Sequence, residues 1–92
     1  MTADKDGILL NELYKQILKL ETEEECAAFL EDLCTMKELQ SMAQRVQAAK
    51  MLLEGKTYQE IIAETDISSA TLARVSRCVR YGDGGYKNIL KK

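Results

Sequence analysis

Residues 57–79, TYQEIIAETDISSATLARVSRCV, read as two short helices joined by a tight turn. Thr57 is placed to cap the first helix while Glu60 reaches back to complete a capping box, and Ile61 and Ile62 follow as the apolar face. The second helix starts at Ser68. Between them, Asp66 supplies a residue that tolerates the left-handed backbone of a tight turn, and Ile67 is the buried plug that fixes the angle between the helices. Leu72, Val75 and Val79, spaced by three and four, pack the second helix down. Ser69, Ala70 and Ala73 then face outward near the helix start, where small side chains let a helix enter a major groove, and Arg74, Arg77 and Arg80 follow at i, i+3 spacing. The pattern is that of a helix-turn-helix unit that reads double-stranded DNA.

Ninety-two residues make one small domain, near the size at which a lone chain buries only a modest core. The net charge of -2 divides unevenly. Residues 1–34 hold nine acids against three lysines, hence -6, whereas residues 35–92 hold ten bases against six acids, hence +4. An acidic amino-terminal half is kept off phosphates while the basic half faces them.

There is no proline, no apolar run long enough to cross a bilayer and no secretory leader pattern, so a cytoplasmic location with no membrane partner is expected. Cys26, Cys34 and Cys78 are odd in number and widely spaced, and the chain has no histidine. This argues against a Cys/His metal site, a disulfide framework and cysteine–histidine catalysis. The glycine-rich stretch Tyr81-Gly82-Asp83-Gly84-Gly85-Tyr86 follows a helix rather than a strand, so it reads as a flexible turn and not a phosphate cradle. Neither an enzyme nor a cofactor is expected.

Everything periodic is helical, and an all-α fold of about six helices is expected. From about Ile8 to Leu20, residues Leu10, Leu13, Tyr14, Ile17 and Leu18 form one stripe. A second helix from Glu23 to Leu33 opens with the capping pair Thr22 and Glu25 and buries Cys26, Phe29, Leu30 and Leu33. A third, opened by Thr35 and Glu38 and ended by Gly55, carries Leu39, Met42, Ala43, Val46, Ala49 and Leu53. Leu9, Leu20, Met51 and Leu52 lie off these stripes, a surplus that points to a second copy of the chain. The single domain 1–92 is thus read as dimerisation helices over 1–55, a helix-turn-helix over 56–80, and a carboxy-terminal turn and short helix over 81–92.

The block Ala43-Gln44-Arg45-Val46 through Leu52-Leu53-Glu54-Gly55, followed by Ala70-Thr71-Leu72-Ala73-Arg74, resembles the Trp repressor superfamily in its YerC/YecD-type branch. The resemblance covers roughly residues 30–80. It implies an intertwined homodimer in which the amino-terminal helices of both chains build one core with a reading head on each side. It also implies sequence-specific transcriptional control.

For the corepressor pocket the carried-over positions are mixed. Arg45 and Arg74 stand where the family places the arginines around a bound indole and its carboxylate, and Thr35 stands at the pocket edge. Val75, however, falls where tryptophan-binding members have a flat glycine, Cys78 replaces a serine and Ala48 an isoleucine. A valine there is expected to fill the space of the ring. Arg45 and Arg74 then read as phosphate contacts, and Thr35, Arg45, Arg74, Val75 and Cys78 are left as a candidate effector pocket for some other ligand, or none. At the DNA surface, Gln59 and Ile62 stand where tryptophan-dependent members present basic residues, so the operator does not transfer. Gln59, Ser68, Ser69, Ala70, Thr71, Ala73, Arg74 and Arg77 are the expected DNA-facing residues. Two alternatives stay open: a helix pair that docks a protein through its arginines, and a regulator that senses a different small molecule.

Overall fold

The computed structural model describes residues 4–92, which contain six helices and no strand. They are α1 (Lys5–Ile17), α2 (Glu23–Leu33), α3 (Met36–Leu53), α4 (Tyr58–Thr65), α5 (Ser69–Tyr81) and α6 (Gly85–Leu90). Packing divides the chain into two units, one ending at Thr35 and the other spanning Met36–Lys92.

The first unit has no buried residue in either helix. α1 starts earlier than its stripe suggests because Asp4 caps it, accepting the Asp6 N–H at 3.1 Å. It also stops at Ile17 rather than Leu20: Lys19 and Leu20 donate to the carbonyls of Gln16 and Ile17 in a tightened last turn. In α2, Thr22 accepts the Glu25 N–H at 3.0 Å, while the Glu25 carboxylate takes the N–H of Glu21. The reciprocal bond is therefore shifted one residue from the expected box.

The second unit holds the core, and α3 is its spine. α3 packs against α4, α5 and α6 in turn. Its buried face is Ala48, Ala49 and Met51, joined by Ile61 of α4, Ile67 of the turn, and Leu72 and Val75 of α5. Leu52, Ile62, Val79, Tyr86 and Leu90 lean on this cluster. This corrects the expected stripe. Met51 and Leu52 are core residues rather than surplus, whereas Ala43 and Val46 are exposed. α3 is apolar on more than one side, and α4–α6 cover only the side that carries Ala48.

Local chemistry places the ends of these helices. Gly55 at φ +84° ends α3, with Lys56 donating to the Met51 carbonyl and Gly55 to that of Leu52, the paired bonds of a Schellman turn. The capping box of α4 is complete: Glu60 donates its N–H to the Thr57 hydroxyl and accepts the Thr57 N–H on its carboxylate at 2.9 Å. Asp66 adopts φ 60°, the left-handed conformation the turn requires, and Ile67 behind it is buried. At the carboxy end, Gly84 at φ +90° caps α6, so the glycine-rich stretch is an ordered connection between α5 and a short helix that docks Tyr86 and Leu90.

The Glu60 cap has a pH signature. The Thr57 N–H, and then the Thr57 hydroxyl, hold the Glu60 carboxyl below its ordinary value of 4.5. A carboxylate favoured in the folded state contributes stability above its unfolded value and loses it as pH falls through the lowered one. Glu60→Gln is expected to melt below the wild type at neutral pH, with the difference shrinking as pH drops below 4.5; melting curves across pH 2–8 check this.

Candidate nucleic-acid interface and adjoining pocket

α5 is divided cleanly into two faces. Leu72, Val75 and Ser76 are buried and Val79 is half-buried, whereas Ser69, Ala70, Ala73, Arg74 and Arg77 are exposed. Ala70, Ala73, Arg74 and Arg77 sit at i, i+3, i+4 and i+7, one continuous outward stripe. No residue from Ser69 to Tyr81 is acidic, so no side chain within α5 opposes the positive end of the helix dipole or the arginines. Among the described residues, Arg74, Arg77 and Arg80 form no ion pair, which leaves their guanidinium groups free for an outside anion.

The two serines at the helix start differ. Ser68 is the N-cap: it accepts the Thr71 N–H at 3.1 Å and donates its own hydroxyl to Thr71 Oγ1 at 2.9 Å. Its donor is used within the cap, whereas Ser69 is exposed and uncommitted among the described residues. Gln59, on the neighbouring helix, is exposed as expected.

Behind this stripe lies a half-open cavity of about 320 Å³ lined by Ser41, Arg45, Thr71, Arg74, Val75, Cys78 and Tyr86. Val75 forms part of its wall without sealing it. Val75 is only 3 % exposed and belongs to the core cluster together with Ala48. Space beside Arg45 and Arg74 stays open. Arg45 is held by a 3.4 Å bond from Nε to the Ser41 carbonyl. The lining has two guanidinium groups and no carboxylate, chemistry that suits an anion. Arg45, Arg74, Val75 and Cys78 line this cavity together. Thr35 closes the first unit and is not among the lining residues. Ser41 and Tyr86 were not foreseen. Ser41 lies one helical turn before Arg45, which could have signalled it; Tyr86 arrives through the docking of α6, which no local pattern encodes.

Comparison with known proteins places this arrangement. The family model described as Trp repressor protein matches residues 9–92. The chain belongs to the Trp repressor family. It is 48% identical over 93 residues to the uncharacterized protein YerC of Bacillus subtilis (strain 168), covering 100% of this chain and 89% of that protein. Among solved structures, it is similar to a Trp repressor candidate from Staphylococcus aureus, with TM-score 0.88 and 46% identity over 91% of this chain and 84% of that one. It is also similar to a TrpR like protein from Eubacterium eligens ATCC 27750, with TM-score 0.86 and 40% identity over 90% of this chain and 86% of that one.

Within this Trp repressor family frame, Val75 carries a structural load as well as shaping the pocket. Val75→Gly removes a buried side chain and adds a helix-weakening glycine, so a loss of about 2–4 kcal/mol is expected in denaturant unfolding, together with a larger cavity beside Arg45 and Arg74. An unchanged unfolding midpoint would show that the valine is not part of the core.

Proposed function

We propose that the protein is a sequence-specific DNA-binding transcriptional regulator, a repressor that acts as a homodimer without tryptophan. The observation that carries this reading is the acid-free outward stripe of α5, small at its start and basic further on. Its geometry suits a major groove: Ser69, Ala70 and Ala73 approach base edges and thymine methyls, while Arg74 and Arg77 reach a guanine or a phosphate. Family membership supports it. No helix among the described residues is long and apolar enough to cross a membrane, so a membrane-spanning helix does not compete as an account of the apolar residues.

The test is binding of the wild type and variants to a symmetric duplex selected from a random pool, and to scrambled DNA, over a range of salt. Arg74→Ala and Arg77→Ala are each expected to weaken binding by about 1–3 kcal/mol and to flatten the salt dependence where they contact phosphate. If the wild type shows no preference and the arginine variants bind equally well, the stripe instead docks a protein.

The homodimer rests on the first unit. Leu9 is 67% exposed and Leu18 83%, and Ile8, Leu10, Tyr14 and Leu33 are also exposed, more bare apolar surface than two helices sustain in water. In the intertwined arrangement, the amino-terminal helices of two chains bury these residues in one core. Folding and association are then one process, so the melting temperature is expected to rise with protein concentration, and Leu13→Asp or Phe29→Asp to abolish both together. A compact monomer at micromolar concentration contradicts this.

A second reading is favoured by the open cavity: an anionic small molecule held by Arg45 and Arg74 regulates DNA binding. Val75 at the glycine position argues against tryptophan as that molecule.

A further inference from the structure

The turn between α4 and α5 is held from outside by α3. Gln44, half-buried on α3, donates from Nε2 to the Thr65 carbonyl at 3.1 Å. One turn along, Gln47 donates to Glu64 Oε2, also at 3.1 Å. Thr65 ends α4, where carbonyls have no partner within the helix, so the Gln44 amide satisfies a group that the fold otherwise leaves open. The Thr65 hydroxyl is engaged as well, donating to the Ile61 carbonyl at 2.7 Å and accepting the Ile67 N–H at 3.2 Å. Thr65 is thus fixed on both sides, immediately before the left-handed Asp66 that redirects the chain into α5. Gln44, Ala48 and Met51 fall at i, i+4 and i+7 on α3, and the last two are core residues. Gln44 is the polar end of the face that receives the reading head.

We propose that Gln44 is a positioning residue for DNA reading. By holding the Thr65 carbonyl it fixes the pitch of the turn, and with it the direction in which the start of α5 presents Ser69 and Ala70. This rests on the DNA-reading assignment above. The amide is neutral and neutralises no phosphate, so its removal acts on placement and not on charge. Sequence readout depends on placement of side chains at base edges, whereas non-specific binding depends on the number of neutralised phosphates.

The experiment compares the wild type with Gln44→Leu and Gln44→Met, both of which keep the side chain close in size, add no charge and remove the donor. The probes are the selected symmetric duplex, scrambled DNA and amide hydrogen exchange without DNA. Both variants are expected to lose roughly tenfold in affinity for the selected duplex, with affinity for scrambled DNA and the salt slope unchanged. Exchange at Asp66 and Ile67, whose N–H groups bond Ile62 and Thr65, is expected to quicken while Leu72 and Val75 stay protected. Equal weakening on both duplexes, or unchanged exchange at the turn, overturns the proposal. A wild type without preference sinks the DNA-reading assignment instead, and the exchange comparison then decides the clamp by itself.

Discussion

Ala48 and Ala49 are fully buried on α3, and the packing of the second unit depends on that seam. Two adjacent small side chains give α3 a low surface on which α4, α5 and α6 can all close. The helices that arrive bring larger groups, Ile61, Leu72 and Val75, and the turn adds Ile67. Enlarging either alanine would drive these apart, at a cost of about 1–3 kcal/mol for an overpacked core. The inward face of α5 is fixed by this seam, and the outward stripe is fixed because the inward face is.

Charge and packing divide at the same place. The nine acids and three lysines of residues 1–34 fall in the unit whose described residues include no buried one, and the excess of bases falls in the unit with the core. Each unit therefore has one demand on its surroundings. The first has apolar residues such as Leu9 and Leu18 that need covering, and the second has free arginines that need an anion. Under the proposed function a second copy of the chain would meet the first demand and DNA the second, so its two halves draw on different residues.

The helix-turn-helix was legible from sequence because its determinants are local. A cap at Thr57, a left-handed aspartate at 66, a plug at 67 and apolar residues at 72, 75 and 79 each act over a few residues, and each is where its chemistry requires. α3 was less legible. Apolar residues run around much of its circumference, and periodicity does not tell which side α4–α6 will cover, so Met51 and Leu52 were placed outside the core and Val46 within it. The cavity shows the same limit: its wall includes Tyr86, which comes from the separate helix α6. The bond from Gln44 to Thr65 spans 21 residues and leaves no periodic trace.

Amide chemical-shift mapping on adding the selected symmetric duplex tests the central claim most directly. The account predicts that the largest changes fall on Ser69, Ala70, Ala73, Arg74 and Arg77, with smaller ones at Gln59 and little at the buried Leu72. Changes concentrated on α6 or on the first unit, with the outward stripe of α5 unmoved, would contradict it.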